Sequence, residues 1–432
     1  MNRIEKEPFL LKVPIAILAG GLAFGAGVTV ASSQESPFSS SRELKVPAAK
    51  GAREPSLSAT KDGRVLLSWT EQAGTGFAVR IATGDENGWT EPRTVIEGND
   101  LFVNWADFPS AVALPNGVLA AHWLKQNGDD SYAYDVNVAF SKDDGSTWSE
   151  PLVPHRDFTQ RQHGFVSLLP VSSDRLMAIW LDGRDYASGG GFANAEESTS
   201  DAMALRSVTI GSDGVMSQEI VLDRRTCTCC QTSIAVTGGG TVIVAYRDRS
   251  ENEIRDISVL RRIDGRWSVP AIVSDDGWRI EGCPVNGPAV AAAGRQVAVA
   301  WFSAPADLPR VSVAFSNDEG ASFGTPVRVD QGSPAGRVGV VMLRDGSALV
   351  SWLELTSMGE ELRVCRIMPN APCAQPLILS ISRRGRTSGF PRMVRGGDHI
   401  YFAWTQPSET KSSSPDSDMS VQTVVAKLKP NL

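Results

Sequence analysis

The chain has 432 residues, a net charge of −7 from 42 basic and 49 acidic side chains, and six cysteines. That length excludes a small single-core module and leaves either two or three domains or one long all-β repeat fold. The acidic balance excludes nucleic acid as a partner, because phosphate binding needs a basic footprint.

The first element is a leader. Arg3, Lys6 and Lys12 precede an uncharged run from Val13 to Ala31, followed by the polar stretch SSQESPFSSS. The pattern resembles an export signal, with small residues around Ala31 and Ser33 suited to cleavage. The run also approaches membrane-spanning length, so an uncleaved anchor is the alternative. Residues 1–33 are read as signal peptide or membrane anchor, 34–41 as a linker, and 42–428 as the folded body. The body is expected outside the cytoplasm: periplasmic, extracellular or anchored facing outward. Six cysteines fit such an oxidising compartment.

A strand, a Gly-containing turn and a second strand ending in an aromatic then recur along the chain. The unit first reads EPSLSATKDGRVLLSWTE at 54–71 and last reads GFPRMVRGGDHIYFAWTQ at 389–406. Its terminal aromatics are Trp69, Trp123, Trp180, Tyr246, Trp301, Trp352 and Trp404, which are 51 to 66 residues apart. A further strand, a polar turn and a fourth strand follow each aromatic. Four short antiparallel strands per repeat predict the blades of a single all-β propeller, with each aromatic packed between neighbours. Seven second strands predict seven blades, with six as the fallback. The last repeat has three strands of its own, so RELKVPA at 42–48 is expected to supply the fourth and close the ring between the termini.

The turn between the third and fourth strands is SKDDGSTW at 141–148 and SNDEGASF at 316–323, with degenerate copies at 83–89 and 262–267. Asp143 can accept backbone N–H bonds inside the turn, and Gly145 can take a positive φ. The pattern Ser-x-Asp-x-Gly-x-x-Trp resembles the Asp-box, or BNR repeat, and over residues 42–428 the chain is similar to the sialidase superfamily. That resemblance implies a propeller whose Asp turns are scaffold on one face.

The functional face is then the opposite one, where the loops after second strands and before first strands converge on the channel. Arg53, Arg247, Arg249, Arg337, Arg386 and Arg392 fall in or beside those loops, and guanidinium forks suit carboxylates. Trp105 and Trp278 are candidates to stack on sugar rings. The resemblance matches Arg53, in REPSL, to the family's first-blade Arg motif, with Arg337 and Arg247 as further members of a carboxylate-binding triad. It implies an acid and a Tyr nucleophile as well, for which Asp182, Asp185 and Tyr186 are the candidates. The first-blade loop that carries the family's acid reads EQAGTGF and holds no Asp, so turnover of simple sialosides is expected to be small or absent.

The cysteines form two groups. Cys365 and Cys373 flank a turn-like segment and can close a hairpin. Cys227, Cys229 and Cys230 share one loop, and Cys283 precedes the equivalent strand of the next blade. Cys230–Cys283 is the expected bridge, leaving Cys227 and Cys229 as a tight pair, a redox thiol pair, or metal ligands with His163. Thiolates with an imidazole suit copper or zinc; the glycan reading requires no cofactor.

Three functions follow. The first is an exported sialidase-like propeller that binds, and as a glycoside hydrolase would cleave, an anionic glycan or other carboxylate ligand through an Arg-rich mouth. The second is a metal- or redox-linked exported propeller centred on the Cys loops. The third is a protein-binding scaffold. Only the possible N-terminal anchor implies a membrane contact.

Overall fold

A computed structural model describes residues 36–185, 202–407 and 419–432. The leader stretch 1–33 and Tyr186 lie outside the described residues. The described chain forms a seven-bladed β-propeller of small antiparallel sheets. The blades, numbered 1 to 7, begin at the inner strands Arg53–Ala59, Ser110–Ala113, His163–Pro170, Ser233–Val236, Ala289–Ala293, Pro334–Met342 and Arg392–Gly396. Each continues outward through its second and third strands, and all seven inner strands line a central cavity of about 240 Å³. In blade 2 the fourth strand is reduced to one bridge, in which Val138 and Leu152 exchange backbone hydrogen bonds of 2.8 Å.

The closing strand lies upstream of the expected stretch. Phe38–Leu44 pairs with Met419–Leu428 in blade 7, with Glu43 opposite Val424. Four residues of the expected linker, Phe38–Ser41, therefore belong to the sheet. Phe38 packs edge-on against Phe402 and Leu44 is buried, which fixes this register. Val46 and Ala48 leave the strand to pack between blades 7 and 1, beside Leu67 and Ala403.

Apolar clusters sit between consecutive blades all round the ring, and the second-strand aromatics are buried in them. A buried indole N–H needs an acceptor, and the sequence supplies one two residues later. Trp69 donates to Glu71 at 2.7 Å, Trp180 to Asp182 at 2.8 Å, Trp352 to Glu354 at 2.7 Å and Trp404 to Gln406 at 3.0 Å. In a strand, residues i and i+2 share a face, so one Trp-x-acceptor pattern fills the inter-blade space and satisfies its own donor. Trp301 and Tyr246 reach back to Asp276 and Asp223 at the end of the preceding blade.

The Asp turns lock as their residues predict. Asp143 Oδ1 accepts from Ser141 Oγ and Thr147 N, both at 2.8 Å, and the Ser141 hydroxyl accepts from Gly145 N. Asp318 repeats this set with Ser316, Ser322 and Gly320. A Cβ on Gly145 would approach Ile81 of blade 1 to 2.7 Å, and one on Gly320 would approach Ile243 of blade 4 to 3.1 Å. Both glycines are needed for close contact with the preceding blade as well as for φ of +82° and +75°. The turns thus act in packing at one end of the strands, and the loops that hold Trp105 and Arg386 lie at the other.

Candidate functional site at the channel mouth

Three inner strands enter the channel through a bulge near the mouth. Their registers shift between Arg53 and Ser56, Gly164 and Ser167, and Gly336 and Gly339. Within each shift a residue other than glycine takes left-handed backbone: Glu54 (φ 58°), Phe165 (φ 54°) and Arg337 (φ 54°). Such strain costs on the order of 1–3 kcal/mol per residue and collects at binding sites.

Two of these residues belong to one mouth structure. Arg53, Glu54, Asn104, Trp105, Arg386 and Thr405 line a cavity of about 220 Å³ formed by blades 7, 1 and 2. Thr405 Oγ1 accepts from Glu54 N at 3.0 Å and so holds the strained residue in place. Trp105 carries two guanidinium groups, Arg337 at 4.9 Å and Arg386 at 5.7 Å from its ring. Arg337 is buried and donates to the carbonyls of Gly389 and Gly385 at 3.0 and 3.2 Å. Burial lowers its pKa, which nearby Glu360 opposes and Arg386 reinforces. Arg386 is exposed, and among the described residues no carboxylate pairs with it.

The channel below holds two further ionisable groups. Asp107 accepts from Tyr134 Oη and Phe165 N, each at 2.8 Å. Burial pushes its carboxyl up to about 7, although both hydrogen bonds favour the charged form. Asp107 is not among the sequence candidates; its only signal in the sequence is an acid next to the start of a first strand. Arg392 lies on the blade 7 wall, with its guanidinium over the ring of Phe108 at 4.6 Å.

Other sequence candidates sit elsewhere or are already engaged. Arg247 is buried, and its three nitrogens donate to the carbonyls of Asn286, Arg255 and Phe302 at 2.6–2.8 Å. It acts as a tie between blades 4 and 5, not as a ligand arm. Trp278 is covered by Arg247 at 4.8 Å and Phe302 at 5.6 Å, so its ring offers no face to a sugar. Asp182 is fully buried beneath Trp180. It accepts from Arg184 Nε at 2.8 Å and from a second Arg184 nitrogen at 2.7 Å. Burial opposes its ionisation, but Arg184 and His163 outweigh that and hold its pKa below the usual range. A carboxylate so engaged cannot serve as a general acid. Asp185 is largely exposed, with Arg206 at 3.4 Å.

The cysteine pairing differs from the expected one. Cys227 bonds Cys230 and Cys229 bonds Cys283, while Cys365–Cys373 closes its hairpin as expected. Thr228 and Cys229 form a turn that brings the Cα atoms of Cys227 and Cys230 to 5.7 Å, within bridging range. Cys229, at the turn apex, is then the residue that reaches Cys283 on the neighbouring blade, with a Cα separation of 6.1 Å. His163 does not join them.

The three loop cysteines are consumed in bridges, and among the described residues the other cluster with the spacing to ligate an ion is Asp135 with His155 and His163. The two imidazoles stack at 3.7 Å. His155 Nε2 accepts from Val136 N at 3.2 Å, and His163 Nδ1 faces the Arg161 carbonyl at 3.0 Å. Those atoms are thereby occupied within the protein. Burial disfavours charge on both rings, and it prevails at His155. At His163, Asp157, Asp182 and Asp135 overcome it and raise the pKa.

No protein-family model matches the chain, and no curated protein is significantly similar to it. Solved structures are similar to it. A protein of unknown function from Dyadobacter fermentans has 13% identity and a TM-score of 0.50, covering 91% of this chain and 99% of that one. The polysaccharide lyase Uly1 has 8% identity and a TM-score of 0.50, covering 87% and 90%. The NanB sialidase of Streptococcus pneumoniae has 14% identity and a TM-score of 0.44, covering 91% and 71%. These likenesses show the fold alone.

Proposed function

We propose that this is an exported, sialidase-like propeller that binds the carboxylate of an anionic glycan in the mouth pocket between blades 7, 1 and 2. The observation that carries the reading is the pocket itself. Arg53 and the exposed Arg386 share one concave surface with Trp105, and Arg337 is fixed behind it. Guanidinium groups recognise carboxylates through paired N–H donors. The cavity, about 220 Å³, is below the roughly 300–1,000 Å³ of pockets that enclose drug-sized ligands, which suits one terminal sugar residue. A similar propeller that is named as a polysaccharide lyase supports a saccharide ligand.

Binding is favoured over hydrolysis. Glycosidases of the common kind need two placed carboxyl groups. Among the described residues this pocket has one, Glu54. The blade 1 connection after strand two is also a tight hairpin, with Ala73 paired to Gly76. It leaves no loop to carry an acid over the pocket.

A glycan array tests the reading. Purified protein should bind sialic-acid- or uronic-acid-terminated glycans, and Arg386→Ala should lose that binding. Exclusive binding of neutral glycans, or an Arg386→Ala variant with an unchanged profile, would overturn it.

A further inference from the structure

The central channel contains a cation without a counter-charge. Arg392 belongs to blade 7, yet its guanidinium lies over Phe108 at the head of blade 2. Blades 7, 1 and 2 follow one another round the ring, so this side chain crosses blade 1 through the channel. Among the described residues no hydrogen bond or ion pair reaches it, and its Nε is buried without a partner. Burial lowers its pKa to about 10, and no acidic group opposes that shift.

The surrounding groups supply no ion-pair partner. His122 is fully buried; its Nδ1 accepts from Ser110 N, and burial drives its pKa to about 3. It is neutral and contributes no charge of either sign. Asp107 lines the same channel, but Tyr134 and Phe165 occupy its oxygens, and it lies beyond ion-pair distance of Arg392. Ser56, on the intervening strand, lines the cavity with a hydroxyl that bonds no described residue. Arg392 is only half-buried, but a guanidinium whose enclosed Nε has neither charge partner nor acceptor is destabilised. An anion from solution would remove that cost.

We propose that the channel is a binding site for a small inorganic monoanion of the chloride class, held by Arg392 with Ser56 as second donor. One cation and no other positive group matches one negative charge. The site is separate from the mouth pocket and does not depend on the glycan reading.

The test is thermal unfolding of the purified protein with sodium gluconate as the reference salt, titrated with chloride at constant ionic strength. The melting temperature should rise and saturate. Arg392→Met should lose the response, and Ser56→Ala should shift its midpoint to higher chloride. Bromide-soaked crystals of the unaltered protein should give an anomalous peak beside the guanidinium, whether or not the variant folds. Equal melting temperatures in chloride and gluconate, or a channel without bromide, would overturn the proposal.

Discussion

Trp352→Phe tests how the blades are joined. The indole is fully buried between neighbouring blades and donates to Glu354 Oε2 at 2.7 Å. Glu354 is itself buried and also accepts from Ser333 N at 2.5 Å. Phenylalanine keeps most of the apolar surface but leaves one carboxylate oxygen without its donor, at a cost of about 1.5–3 kcal/mol. The smaller ring leaves a void worth about 1 kcal/mol more. The expected loss is therefore roughly 3 kcal/mol, read as a lower urea midpoint at unchanged slope. Glu354→Gln retains an acceptor and should cost less. The double variant should fall short of the sum by more than about 1 kcal/mol, since the two residues form one unit. Additive losses, or a Trp352→Phe midpoint equal to that of the unaltered protein, would refute the Trp-x-acceptor account.

Other outcomes follow from the same structure. Asp107 has its pKa raised from 3.8 to about 7 in the fold, so the folded state retains a proton that the unfolded chain releases. That contribution is complete below about pH 4 and is lost as pH rises through 7. Asp107→Asn should flatten the melting-temperature profile between those limits, and an unchanged profile would contradict the assignment. Peptide mapping under non-reducing conditions should recover Cys227–Cys230, Cys229–Cys283 and Cys365–Cys373; a Cys230–Cys283 peptide would contradict the pairing described here. A fluorogenic sialoside should release no sialic acid, because Asp182 is held by Arg184 and the blade 1 hairpin carries no acid. Efficient release would overturn the preference for binding.

The periodic features were legible in the sequence. Seven aromatics at near-constant spacing gave the blade count, and two Ser-x-Asp-x-Gly turns identified the scaffold face. Both depend on local geometry, a strand face or a four-residue turn. The roles of individual arginines were not legible, because they depend on distant backbone. Arg247 and Arg386 look alike as mouth-loop residues, yet Arg247 is consumed by carbonyls 39 and 55 residues away. Arg386 meets the ring of Trp105 from the other side of the chain's closure. The cysteine pairing was hidden in the same way, since it depends on which residue sits at the apex of one turn. The closing strand was displaced because Phe38, in a stretch that reads as a polar linker, finds Phe402 in the last blade.

The most direct test of the central claim is titration calorimetry with a sialic-acid-terminated oligosaccharide and a glucuronic-acid-terminated one, each beside its methyl ester. A charge-assisted hydrogen bond is worth about 1.5–3 kcal/mol, so esterification should weaken binding of the preferred acid roughly ten- to hundredfold. The difference should disappear in Arg386→Ala. Equal affinity for acid and ester, or no binding of either acid, would contradict the account.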